Sequence, residues 1–431
     1  MNTCFRSICF ATAALLSASA MAGDLYVSAS TGKNKNAGTK DAPIKSIFKA
    51  VSIAQPGDTL HIAEGKYKGK MSSGFITIDK PLTLLGGYSA DFTTRKPDVN
   101  LTLLQPPNQE IAGRGQMVIE LKPDNKLPMV VDGMIFDQGE ANSYHPSEGK
   151  PKGLDTGMLT IAPAKGATQF VTPKKFGIYA KTAGELTIRK CAFVNCADMP
   201  ISVAHYGGKV TVENNVFVAN RMIACDVHNG APKPKTIEFE FEHNTVLFTW
   251  SRTKDLQTMG YGVRVEERTN ATIEDNLFGL NINTGVDLTK GDQKTKEITL
   301  EENAFVLNKR GDVSVTVSPS ILFLTAGSDA FEDLEEVDGM ESIDGNVALA
   351  DPSLLKGKVD EAYLEGFLSA SYTEKSSYDE NSPANTFRAA LGMNKVGKLT
   401  SKVTMYGNRY PLETALKLFG AVKDFGAEAI Q

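Results

Sequence analysis

A six-residue pattern that returns five times limits this chain's fold more than any other feature. Residues 188–193 (IRKCAF), 212–217 (VENNVF), 241–246 (FEHNTV), 273–278 (IEDNLF) and 300–305 (LEENAF) each read apolar, polar, polar, Asn, any, apolar. Cys191 once takes the place of Asn, and successive fourth positions lie 24, 29, 32 and 27 residues apart. Most copies are preceded by a second alternating run, at 177–181, 200–204, 222–226, 262–266 and 285–289. Two short strands per 24–32 residues cannot bury their apolar faces alone, but stacked units bury them in one continuous core. Val, Ile, Thr and Phe at period two argue for strands over a helical solenoid.

The recurrent Asn has a physical role in such a stack. Equivalent turns lie about 4.8 Å apart, so side-chain amides can bond into a ladder. Asn also tolerates the left-handed backbone that a sharp turn demands. Asn215, Asn244, Asn276 and Asn303 are therefore expected in one turn of the fold.

With those motifs in place, the chain resembles the right-handed parallel β-helix superfamily of pectate-lyase-like proteins, over roughly residues 170–310. Residues 25–28 (LYVS), 38–39, 43–44, 56–63 (PGDTLHIA) and 86–88 (GGY) resemble the opening of many secreted β-helix proteins. The fold class that follows is all-β: a single-stranded right-handed parallel β-helix over 23–320. The resemblance makes 43–54 a short helix capping its N-terminal end. A C-terminal extension, 321–431, is partly helical, with helical patterns opening at Pro352, Pro383 and Pro411. The acid-rich stretch 329–345 reads as a solvated loop.

Residues 1–22 read as a cleavable leader, with Arg6, an apolar run at 8–16 and an Ala20-Met21-Ala22 cleavage site. No later stretch reaches the roughly 20 apolar residues that a membrane span requires. The expected location is secreted or periplasmic. A net charge of −5 leaves nucleic acid an unlikely partner. Beyond the leader, Cys191, Cys196 and Cys225 permit at most one disulfide and read mainly as small buried hydrophobes.

Outward residues of stacked strands form ladders, so a site can be sought along the first strand. The positions beside inward Ile178, Ile201, Ile223, Val263 and Val286 are Tyr179 and Lys181, Asp226 and His228, Arg264, Glu266 and Arg268, and Asp287. In the resembled polysaccharide lyases the equivalent strand carries carboxylates that bind calcium, and an Arg or Lys base. That resemblance implies Asp226, Glu266 and Asp287 as ligands for Ca²⁺, with Arg264 or Lys181 as base; clustered histidines add His228 and His205 as catalytic candidates, and Tyr179 and Arg268 are expected to contact substrate. The lyase motifs D-G-x-x-D and W-I-D-H are absent. As outward residues, Asp226 and Arg264 are expected to be replaceable at little cost in stability. Three functions remain open: a lyase or C5 epimerase acting on an acidic polysaccharide, a non-catalytic glycan-binding or adhesion solenoid, and a periplasmic metal-handling β-helix suggested by His205, His228 and His243. The plain alternative for the whole ladder is a solvated structural face.

Overall fold

The computed structural model describes residues 22–69, 75–105, 115–138, 176–196, 198–233, 235–250, 259–349, 351–361, 363–364, 389, 392, 394 and 409–430. Nearly all of the expected leader and most of 383–391 lie outside them. Among the described residues, seventeen strands form one sheet and nine a second. Every ladder between them is parallel except the hairpin of Val313–Val317 with Ser320–Leu324. The chain is a right-handed parallel β-helix whose coils stack at the interstrand spacing, about 4.8 Å. The large sheet has two limbs, joined by the long strands Phe176–Arg189 and Ile201–Glu213, which bend through an irregularity between Thr182 and Gly184.

Alternation places apolar side chains inside. Ile178, Ile201, Cys225, Val263, Val286 and Val313 share one ladder and are all fully buried. Phe136, Phe193, Phe217, Phe241, Phe278 and Phe305 stack ring on ring through the interior at 4.8–6.0 Å.

The asparagine ladder is continuous. The backbone N–H groups of Cys191, Asn215, Asn244 and Asn276 donate to the amide oxygens of Asn215, Asn244, Asn276 and Asn303 at 2.8–3.1 Å. Each Asn side chain also donates to the next, at 2.9–3.2 Å. The left-handed conformation belongs to the preceding residue instead: Lys190, Asn214, His243, Asp275 and Glu302 have φ of 50–55°. Asn303 donates onward to Asn346, and Met340–Ser342 and Val347–Ala348 add a further parallel coil. The solenoid therefore extends past residue 320. A second, shorter column occupies the next turn, where Asn281 donates to Asn308 and Cys196 and Thr249 donate to Asn220 and Asn281.

Near the N-terminus a helix spans Ile47–Ile53, with Ser46 accepting from the Lys49 N–H and Ile47, Ala50 and Val51 buried. The acid-rich stretch is not simply a loop. Asp329–Glu332 and Asp333–Glu336 are short helical turns that place Phe331 and Leu334 in the interior core. The pattern opening at Pro352 begins as a 3-10 turn, Pro352–Leu355, with residues 361, 363 and 364 helical beyond it, and the one at Pro411 covers only Leu412–Leu416. These segments lie on the outer side of the nine-stranded sheet. Leu355, Tyr363, Tyr410 and Leu418 form a second apolar cluster with Val194, Val218 and Leu247. Trp250 Nε1 donates to Tyr363 Oη at 2.7 Å, and Asn195 exchanges two hydrogen bonds with the Tyr410 backbone.

Candidate functional site

The limb carrying residues 223–229, 261–265 and 286–287 brings the charged ladder together. Ser202 stands opposite Asp226, Asp226 opposite Arg264, Arg264 opposite Asp287, and Asp287 opposite Ser314. Arg264 Nε donates to Asp287 Oδ2 at 2.6 Å. Asp287 Oδ1 accepts from the Thr289 backbone and hydroxyl and from the Ser314 hydroxyl. Asp226 Oδ2 lies 3.2 Å from His228 Nδ1, while Asp226 Oδ1 is buried without a hydrogen-bond partner.

These groups are not exposed. Asp226, Arg264 and Asp287 are 6%, 7% and 0% accessible, which overturns the expectation that replacing them leaves stability untouched. Burial makes each charge depend on its partner. Arg264 is also a poor base: burial acts against its charge, but Asp287 and Asp226 hold its pKa above the ordinary arginine value. Burial likewise disfavours charge on His228, yet the hydrogen bond and charge of Asp226, with Glu266 adding, leave its pKa raised. Glu266 is raised as well, by burial first and then by Asp226, with His228, Arg264 and Lys290 opposing.

Sequence reasoning missed one member. Lys296 is 2% accessible, and its ammonium donates to the Leu288 carbonyl at 2.7 Å. Burial pulls its pKa down to about 8, against the charges of Asp287, Glu266 and Glu267. It follows a short 3-10 turn, Gln293–Thr295, in a variable loop between repeats, where no periodic signal marks it.

Other candidates fall outside the cluster. Tyr179 and Lys181 stand opposite Ser202 and Ala204, two coils from Asp226 and His228, or roughly 10 Å along the axis. His205 occupies an inward position with 0% accessibility, and burial lowers its pKa to about 4, so it is a neutral interior ring. The strand ends at Val265, and Arg268 turns away in the left-handed region at φ 59°, exposed. His243 sits in the asparagine turn, 3.6 Å from Asp275, so the three histidines do not converge. Cys191, Cys196 and Cys225 are free and buried, and burial raises each thiol's pKa.

The expected calcium ligands do not fit the ion. Ca²⁺ takes about six to eight oxygens at one point. Here the Arg264 guanidinium stands between Asp226 and Asp287 in the ladder, and both Asp287 oxygens already accept hydrogen bonds. Among the described residues no three His, Cys, Asp or Glu side chains converge as a metal site requires.

Residues 30–119 match a family described as a protein of unknown function (DUF1565), and residues 164–317 match one described as periplasmic copper-binding protein (NosD). Both are right-handed parallel β-helix families, and the second match spans the whole charged ladder. No curated protein sequence matches the chain. Among solved structures it is similar to XylC in complex with xylose, at 11% identity and a TM-score of 0.35, over 68% of this chain and 64% of that one. The chain thus spans less than two thirds of XylC. It is also similar to GH136 lacto-N-biosidase from Eubacterium ramulus, at 11% identity and 0.34, over 76% and 67%. An alginate lyase from Paenibacillus is similar at 9% identity and 0.28, over 70% and 98%. Among the described residues, no helix is long and apolar enough to cross a membrane.

Proposed function

We propose that this is an exported, secreted or periplasmic protein that acts on an acidic polysaccharide by β-elimination at the Asp226–His228–Arg264–Glu266 cluster. The observation that carries the reading is the Asp226–His228 contact at 3.2 Å. A carboxylate on Nδ1 fixes the tautomer and leaves Nε2 as the proton acceptor, the arrangement of an oriented general base. His228 is only partly buried, with its side chain 31% accessible, so substrate can reach it.

In the step proposed, His228 Nε2 takes the C5 proton of a uronate. The released electron pair forms the C4–C5 double bond, the C4–O bond breaks, and Glu266 gives its proton to the departing oxygen. The raised pKa of Glu266 suits it to hold that proton. Arg264, permanently cationic one coil from Asp226, offsets the uronate carboxylate and the negative charge that develops at C5. Lys296, 2% accessible, adds a further positive charge near Asp287 and Glu266.

The test is a panel of uronans assayed by ultraviolet absorbance of the unsaturated product, with wild type and His228→Ala. Product from wild type and loss of at least about a hundredfold in the variant are expected. Glycan binding without product would mean a binding solenoid, and wild-type turnover in the variant would move the base elsewhere. A second reading, metal handling, is favoured only by the match over residues 164–317 to a family described as copper-binding. Stoichiometric copper retained after gel filtration would support it.

A further inference from the structure

We infer that Asp24, Tyr26, His61 and Tyr88 form a second, separate site that binds a neutral sugar ring. It lies on the other limb of the large sheet from His228. Tyr26 stands opposite His61 on the outer face, while the flanking Val27, Leu60 and Ile62 point into the core. The Tyr26 and His61 rings stack at 4.7 Å, and Tyr88 meets His61 edge-on at 5.1 Å. His61 is bonded at both ring nitrogens, Nε2 to Asp24 Oδ1 at 2.8 Å and Nδ1 to Tyr88 Oη at 2.9 Å. The ring is thereby fixed in orientation between a carboxylate and a phenol hydroxyl. Tyr88 Oη keeps further hydrogen-bonding capacity for a ligand hydroxyl.

The backbone is specially built to hold this group. The register shifts between His61 and Ala63, so that Tyr88 stands opposite Ala63. The shift passes through Gly86, where a Cβ would lie 2.4 Å from the Gly133 carbonyl oxygen, and Gly87, at φ 87°. Such irregularities re-aim a side chain. Phe92, 7% accessible, is held at φ 59°, a conformation disfavoured for a bulky residue, and packs edge-on against Tyr26 at 5.1 Å.

The chemistry selects the ligand. Half-buried aromatic rings beside an oriented hydroxyl, imidazole and carboxylate suit a pyranose with equatorial hydroxyls, whose axial hydrogens make one face apolar. Charge argues against an anion. Arg95 is bonded to Asp132, which also pairs with Arg189, and Asp24 is 62% accessible and negative.

Isothermal titration of the full chain with cellohexaose, xylohexaose and hexagalacturonate tests the inference. At least one neutral hexasaccharide should bind, and Tyr26→Ala should weaken it about tenfold. Tyr88→Phe, which keeps the ring, and Asp24→Asn, at an exposed position, should each weaken it several-fold while leaving the circular dichroism unchanged. These two decide the matter if Tyr26→Ala fails to fold. His228→Ala should bind the neutral sugar like wild type, which separates this site from the elimination chemistry. The inference is overturned if neither neutral sugar binds, if binding ignores Tyr88→Phe and Asp24→Asn, or if hexagalacturonate is preferred.

Discussion

Asp287 has 0% accessibility, so the Arg264 guanidinium beside it cannot be removed at surface prices. We predict that Arg264→Ala lowers stability by about 3 kcal/mol, because it strands a buried carboxylate. Urea unfolding of the variant checks this, and an unchanged midpoint would contradict the burial. Asp226→Asn should lower the His228 pKa, since the charge that raises it is gone. Imidazole proton shifts in an NMR titration would show the direction. Elimination needs His228 neutral and Glu266 protonated, so kcat/KM should trace a bell with pH, and the His228 limb should move to lower pH in Asp226→Asn. Lys296 carries the opposite sign. Its folded pKa lies below its unfolded value, so its charge destabilises the fold below about pH 8, and the penalty fades as pH rises toward about 10. A shift from 10.5 to about 8 amounts to about 3 kcal/mol at most. Lys296→Met should raise the neutral-pH unfolding midpoint and flatten the rise between pH 8 and 10.

At the level of the coil, the ladder positions set the energetics. Asn244 receives two hydrogen bonds from Asn215 and gives its own to Asn276 and to the Val212 and Glu242 carbonyls. Asn244→Leu removes the acceptor of two Asn215 donors and the donor to the Val212 and Glu242 carbonyls, and a loss of about 3 kcal/mol is expected from denaturant midpoints. On the outer face of the same limb, Glu213, Glu242, Glu274 and Glu301 stand in one column. Burial, then neighbouring glutamates, raise the pKa of both Glu242 and Glu274. Stability from this column is present at acid pH and lost as pH rises through those raised values. Glu274→Gln should therefore stabilise the protein at neutral pH, by less in high salt. The asparagine ladder was legible in the sequence because its side chains recur at the same place in every repeat. The second column lies five residues after the first at the same spacings, but Cys196 and Thr249 break its identity, so no shared residue type marks it. Lys296 was hidden for a related reason, since a residue outside the repeat is returned to the face only by the turn at Gln293–Thr295. His205 was misread although the signal was there: two steps of alternation from inward Ile201 put it on the interior face, where it is fully buried.

For the whole molecule, the C-terminal segments and the solenoid share one apolar boundary. Removing residues 351–431 would uncover Val194, Val218, Leu247 and Phe248 and strip Tyr363 from Trp250. The truncated chain is expected to self-associate by light scattering, and its single tryptophan should emit further to the red. A monomer with unshifted emission would show that the covering is dispensable. The asparagine ladder has a further property at this scale: direction. Toward the C-terminal coil each Asn offers its backbone N–H and an amide proton, and toward the N-terminal coil it offers its amide oxygen and a donor to a backbone carbonyl. A half-built solenoid therefore presents a pair of donors at its growing tip, and the next coil's Asn replaces their water with one oxygen that meets both. Growth from the N-terminus is templated one coil at a time, each new Asn oxygen closing on two N–H groups that the previous coil already holds side by side. A chain that emerges N-terminus first thus carries a vectorial instruction for its own assembly, written as a column of amides.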